Sequence, residues 1–182
     1  MVSGAGQFWV FGYGSLIWKP GFAYLERVPA TLFGFHRAFC VWSVHWRGSA
    51  EQPGLVLGLD RGGAATGMAY RVPPGDWPEV RHYLRAREQV TLVYKEAYHP
   101  VRLADGRRVE ALAFTVDRRH RQYAGKLGFD EQCAVIARAR GLGGPNRAYL
   151  HETRAALHQE GMRDSGLEAL ARALPEHPES GR

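Results

Sequence analysis

Cysteine is scarce in this sequence, with only Cys40 and Cys133 among 182 residues. They form no CxxC pair, so a disulfide framework is excluded. Both stand among apolar neighbours and are expected to be buried thiols, which suits a reducing cytoplasm. No apolar run approaches the roughly 18 residues a membrane span needs, so no membrane association is expected. The opening stretch MVSGAGQFWVFGYG has no basic region, and no secretory leader is expected there. The eight histidines include no HExxH and show no ligand spacing with the cysteines, which argues against zinc. Gly141-Leu142-Gly143-Gly144 is not followed by Gly-Lys-Ser/Thr and is no phosphate loop. It is expected to cap a helix and lead into Pro145. Ser15 lacks the GxSxG setting of a hydrolase nucleophile, and no dinucleotide-binding fingerprint is present.

The formal charge of +6 does not by itself point to nucleic acid. The basic residues are scattered, and the denser runs (Arg81-Arg85-Arg87, Arg107-Arg108, Arg118-Arg119-His120-Arg121) accompany no recognised binding motif. A solvated surface is expected, with no nucleic-acid partner. A mildly positive surface also suits an anionic small molecule.

A chain of 182 residues suits one domain, with two small ones as the alternative. The first two-thirds read as β and the last third as α. Strands are expected at Phe8 to Phe11, Phe33 to Trp42, Leu55 to Leu59 and Thr66 to Val72, with Asp60-Arg61-Gly62-Gly63 as a turn between the last two. His36 and His45 are expected to pack in a sheet. A hairpin is expected from Val93 to Leu103 and Val109 to Val116 through Ala104-Asp105-Gly106. A helix follows Asp76, with Glu79 completing a capping box and Trp77, Val80 and Leu84 at helical spacing. Further helices are expected at Phe129 to Arg140, Asn146 to Glu160 and Leu167 to Leu174, the last capped by Ser165 and Glu168. The domain is expected to span 1–174, with 175–182 as a frayed tail. Many strands with little βα alternation predict an α+β fold, a curved or barrel-like sheet with helices outside.

Two features could carry chemistry. Glu88 falls within about 20° of Trp77 around the helix axis, one turn beyond Leu84. It is thus a carboxylate on the core-facing stripe, at the helix end where the dipole is also negative. Burial and dipole would both raise its pKa, as a general acid/base at neutral pH requires. The alternative is a helix-end glutamate paired with Arg81, Arg85 or Arg87. The second feature is Tyr13-Gly14-Ser15-Leu16, where an apolar strand stops abruptly. It is either a plain turn or a loop whose backbone N–H groups meet an anionic ligand.

The combination of Phe11-Gly12-Tyr13-Gly14-Ser15-Leu16, Trp18, Arg87-Glu88 and Tyr94 resembles the ChaC family of γ-glutamylcyclotransferases. The similarity continues through Gly34-Phe35-His36-Arg37-Ala38-Phe39, Gln52-Pro53-Gly54, Gly67-Met68-Ala69-Tyr70-Arg71 and Asn146-Arg147-Ala148-Tyr149-Leu150, nearly the whole chain in order. The glutathione-degrading branch is the nearest match. The resemblance implies a small mixed β-barrel with flanking helices. It implies cleavage of glutathione to 5-oxoproline and cysteinylglycine without water, metal or cofactor. Glu88 would be the acid/base. The loop Phe11, Gly12, Tyr13, Gly14, Ser15 and Leu16 would hold the γ-glutamyl group, with Phe11, Leu16 and Trp18 anchoring it in the core. Tyr94 and Tyr149 would line the pocket. One departure is Thr91-Leu92-Val93 before Tyr94, where family members often carry a small residue. It raises the alternative of other γ-glutamyl peptides or amines as substrates, beside the further alternative of a non-catalytic ligand-binding protein.

Overall fold

The expected strands form in the computed structural model, which describes residues 6–176. Beyond Glu176, the stretch expected to be a frayed tail lies outside the described residues. The chain makes two compact units: one runs to Ala38 and resumes over Leu57–Tyr123, the other takes Phe39–Val56 and the residues from Ala124 onward. Among the described residues no helix is long and apolar enough to cross a membrane.

Five strands, β1 (Phe8–Gly12), β2 (Glu26–Ser43), β3 (Gly54–Val72), β4 (Tyr94–Leu103) and β5 (Arg108–Val116), close a mixed barrel in the order β1-β3-β2-β4-β5. β1 is the central piece. It runs antiparallel to β3, from Phe8 opposite Val72 to Gly12 opposite Met68, and parallel to β5, with Trp9 opposite Ala111. A strand paired on both sides within a packed barrel is apolar throughout, which is why FWVF shows no alternation. Trp9, Phe11, Leu32, Leu59, Leu103, Leu112 and Phe114 are almost completely buried and form the core of this unit.

β3 corrects one expectation. Asp60-Arg61-Gly62-Gly63 is not a break between two strands, because β3 continues through it. Gly62 and Gly63 take the positive φ values, +100° and +72°, that let the strand bend there. Asp60 is buried. Burial alone would raise its pKa, but hydrogen bonds from Arg118 Nε (2.6 Å), Tyr123 Oη (2.8 Å) and the Arg61 N–H (2.9 Å) hold the carboxyl below the usual range. Arg118 is exposed, as expected of that basic run, yet it also pairs with a buried carboxylate.

Helix α1 (Trp77–Glu88) forms where expected and buries Trp77, Val80 and Leu84. Asp76 makes no side-chain cap, so the capping box is absent; a 3₁₀ turn at Pro74–Asp76 leads into the helix instead. Phe8 stacks on Trp77 with ring centroids 4.8 Å apart and planes 8° from parallel, which fixes the start of α1 against β1.

In the second unit, α2 (Phe129–Arg138), α3 (Asn146–Gln159) and α4 (Ser165–Ala173) pack together. The glycines after α2 do not cap it. Ala139 is extended, and β6 (Arg140–Gly141) and β7 (Gly144–Pro145) form a minimal hairpin. Asp164, not Ser165, caps α4, its Oδ1 accepting from the Leu167 N–H at 3.1 Å. Glu168 turns instead to Arg154 Nε at 3.0 Å and to His158. His45 lies beyond the end of β2 and is exposed, whereas His36 is in the strand with Nδ1 3.0 Å from the Gly62 carbonyl. Cys40 is buried, but Cys133 is only half-buried.

Asn146 anchors this unit. It is fully buried, and its side-chain amide makes both hydrogen bonds a backbone neighbour would make to Leu55, each 2.7 Å. Asn146→Ala strands the Leu55 N–H and C=O without partners. It should cost about 2–6 kcal/mol, at about 1–3 kcal/mol per orphaned buried group. Chemical denaturation checks this, and a loss below about 0.5 kcal/mol would contradict it.

Candidate active site

At Gly12, β1 gives way to a loop that closes into a 3₁₀ turn at Ser15–Ile17. The approach is tight. A Cβ on Gly67 would lie 2.2 Å from the Gly12 carbonyl oxygen and 2.9 Å from the Phe11 ring. Only glycine permits β3 to pass so close to the end of β1.

All five consecutive carbonyls from Tyr13 to Ile17 accept hydrogen bonds. Buried Arg37 donates from Nε to the Tyr13 carbonyl at 2.7 Å, and its Nη2 donates to the Thr66 carbonyl. Gly14 receives the Ile17 N–H and Ser15 the Lys19 N–H, each at 2.9 Å. The Tyr70 hydroxyl, inside the core, donates to Leu16 at 2.8 Å and Ile17 at 3.1 Å, and Arg27 also reaches Ile17 at 3.2 Å. The loop's acceptors are thus committed to the protein.

α1 brings Arg87 and Glu88 to this loop. Arg87 Nη2 donates to Ser15 Oγ at 2.7 Å. Its Nη1 donates to the Lys19 carbonyl at 2.6 Å, the Tyr83 hydroxyl at 3.0 Å and the Pro20 carbonyl at 3.4 Å. Its Nε lies 3.3 Å from Glu88 Oε1. Arg81 and Arg85 do not reach Glu88, since both are taken by Glu96 at 2.5 Å. Glu88 is the last residue of α1, and its side chain keeps 18% of its surface open to solvent, a narrow opening with protein on nearly every other side. Burial pushes its pKa above the ordinary carboxylate value, and the Arg87 cation opposes that only in part. A carboxyl held this way keeps its proton to a higher pH than an ordinary carboxylate does.

Residues 8–177 match the ChaC-like protein family. The chain belongs to that family. Among its relatives is the glutathione-specific γ-glutamylcyclotransferase of Escherichia coli, 40% identical over 91% of this chain and 71% of that protein. Glutathione-specific γ-glutamylcyclotransferase 1 of Mus musculus is 34% identical over 93% of this chain and 83% of its own. A crystal structure of the yeast γ-glutamyl cyclotransferase specific to glutathione superposes with a TM-score of 0.86 at 26% identity, covering 97% of this chain and 99% of that one.

In this ChaC-like chain, the segment Phe11, Gly12, Tyr13, Gly14, Ser15 and Leu16 is tied to the end of α1 through the Ser15–Arg87 hydrogen bond, and Glu88 follows Arg87 there. Phe11 and Leu16 are buried, whereas Trp18 is 38% exposed and does not anchor the loop in the core. Tyr94 opens β4, and its hydroxyl donates to the Leu57 carbonyl at 2.7 Å. Gln89 Nε2 donates to the Tyr94 carbonyl at 3.4 Å, linking that strand to the end of α1. Tyr149 belongs to the other unit, where its ring lies between Phe39, edge-on at 6.0 Å, and the Arg47 guanidinium at 5.4 Å. Of the residues that depart from the family pattern, Val93 is buried in the core, while Leu92 is 66% exposed and takes φ +60°. That conformation costs a non-glycine residue about 1 kcal/mol.

Arg37 and Tyr70 are site residues that the sequence gives no role. The available signal was a cation and a phenol inside otherwise apolar strand segments, since buried donors of that kind need buried acceptors.

The folded-state pKa of Glu88 lies above its unfolded value, so the folded protein binds the extra proton. Stability is therefore lost as pH rises through the interval between the two. Glu88→Gln removes the ionisation. The variant should be more stable than the wild type at neutral pH, and the advantage should vanish below about pH 4, under the ordinary glutamate pKa. Denaturation midpoints across that range test this, and parallel curves at all pH values would contradict it.

Proposed function

We propose that this protein is a γ-glutamylcyclotransferase that converts glutathione to 5-oxoproline and cysteinylglycine, with Glu88 as general acid/base and the Tyr13–Leu16 loop holding the γ-glutamyl group. The observation that carries this reading is the recessed, proton-retaining Glu88 joined through Arg87 to a loop whose carbonyls are all occupied. The names and extent of the relatives support the substrate.

The reaction needs little else. The α-amine of the γ-glutamyl residue attacks its own γ-carbonyl carbon, forming the ring C–N bond, while the C–N bond to the cysteine amine breaks. The α-ammonium must first lose a proton. Glu88, ionised, accepts it and passes it to the departing cysteine nitrogen, and the proton that the ring nitrogen sheds after attack follows the same route, so the amine leaves as an ammonium, no water is consumed and Glu88 returns to its starting state. Ring closure is intramolecular, so folding the substrate into an attacking conformation supplies much of the acceleration. Loop amides and the Ser15 hydroxyl stabilise either the α-carboxylate or the oxyanion that forms at the γ-carbon. Tyr94 lines the pocket in this reading. With Cys40 and Cys133 both free, the reading places the protein in a reducing cytoplasm.

Purified protein should release 5-oxoproline from glutathione; release only from γ-glutamyl-alanine would sink the glutathione assignment. Glu88→Gln should lower kcat/KM by about 100-fold or more. The base must be ionised, so wild-type kcat/KM should fall on acidification through a pKa above the ordinary glutamate range, and that limb should be absent in the variant. Near wild-type turnover by Glu88→Gln would refute its role.

A further inference from the structure

All three nitrogens of the Arg87 guanidinium are spent on the candidate site. Nη2 holds the Ser15 hydroxyl at 2.7 Å, Nη1 holds the Lys19 and Pro20 carbonyls and the Tyr83 hydroxyl, and Nε faces Glu88 Oε1 at 3.3 Å. Tyr83 adds a second grip on the same segment. A Cβ on Gly21, which has φ +78°, would lie 2.0 Å from the Tyr83 hydroxyl oxygen, so the phenol is wedged against backbone that only glycine can provide. The Ser15 hydroxyl accepts from Arg87 and so keeps its own proton to donate. One of its two lone pairs is committed, and the O–H turns about the Cβ–Oγ bond away from the guanidinium.

From this geometry we infer that Arg87 is a positioning residue, whose guanidinium fork fixes Ser15 and the 19–20 backbone to the end of α1 so that loop and Glu88 meet the substrate in one register. The inference rests on the role proposed for Glu88. A fork is required because one planar group must donate in several fixed directions while presenting charge to a carboxylate. A lysine ammonium at the same position supplies charge without that geometry. Among the described residues Arg87 is also the one charged group acting on the ionisation of Glu88.

Arg87→Lys and Arg87→Met separate the two effects. Arg87→Met should lower kcat/KM by about 100-fold, as misplacement of a reacting group does, with KM for glutathione raised. Its acid limb should move to higher pH, because the cation no longer favours the carboxylate. Arg87→Lys should keep the acid limb of the wild type yet lose about tenfold in kcat/KM, mainly through KM. In both variants, amide hydrogen exchange over residues 14–20 should accelerate without substrate. If the wild type makes no 5-oxoproline, the proposed activity falls, while the exchange measurement still decides whether Arg87 holds the loop. The inference is overturned if folded variants exchange 14–20 at the wild-type rate. It is equally overturned if they show wild-type KM and acid limb with only a smaller active fraction, which is the mark of a purely structural role. Should Arg87→Met fail to fold, Arg87→Lys carries the test.

Discussion

A buried carbonyl left without a donor costs about 1–3 kcal/mol, and the segment after β1 has five in a row to satisfy. Ordinary secondary structure supplies donors for Gly14 and Ser15. The others are met by side chains reaching from β2 and β3: Arg37 to Tyr13, Tyr70 to Leu16 and Ile17, with Arg27 also on Ile17. This capture of carbonyls determines which way the loop faces. In the proposed function, the loop's N–H groups and the Ser15 hydroxyl are what remains to meet a ligand. The barrel's close packing serves the same end, since Gly67 beneath Gly12 lets the two strands approach closely enough for these side chains to span the gap.

The second constraint concerns Glu88, and it pulls two ways. A base for an ammonium must ionise at neutral pH, but a group that later delivers the proton to a leaving amine must not be too acidic. Burial raises the Glu88 pKa and Arg87 restrains the rise. The neighbouring arginines make this balance specific, because Arg81 and Arg85 are committed to Glu96 and so cannot over-stabilise the Glu88 carboxylate. The same Arg87 that tempers Glu88 also donates to Ser15 Oγ.

Much of this was legible from sequence, for reasons that can be named. The helical period placed Glu88 on the Trp77–Leu84 stripe, and a long-lived period survives small errors at helix ends. The Asp-Gly turn marked the β4–β5 hairpin because few other dipeptides take that backbone. Misreadings arose where tertiary contacts outcompeted local preference. Asp60-Arg61-Gly62-Gly63 has the composition of a turn, yet Arg118 and Tyr123, distant in sequence, make Asp60 worth burying inside a strand. Asp76 and Glu168 looked like capping residues, but a 3₁₀ turn leads into α1 and Glu168 is drawn to Arg154 and His158 of α3, leaving Asp164 to cap α4. The carbonyl-holding work of Arg37 and Tyr70 was invisible for the same reason, since its partners lie 24 and 54 residues away.

The distribution of polar machinery fits the demands of an intramolecular cyclisation. When nucleophile and electrophile belong to one flexible molecule, the barrier lies largely in bringing them together, and effective molarities of about 10⁵ M or more are accessible by orientation alone. Such a reaction calls for one proton carrier and a rigid donor surface in place of an elaborate relay. In the proposed function that carrier is Glu88, whose pKa burial raises, while Arg37 and Tyr70 are bonded to backbone carbonyls and Arg81 and Arg85 to Glu96. An enzyme built this way would tolerate change in residues that merely surround the ligand, such as the exposed Leu92, far better than change in the side chains that hold the loop. The sensitivity of the chemistry would then lie with buried donors such as Arg37 and Tyr70 that hold only the loop's own backbone.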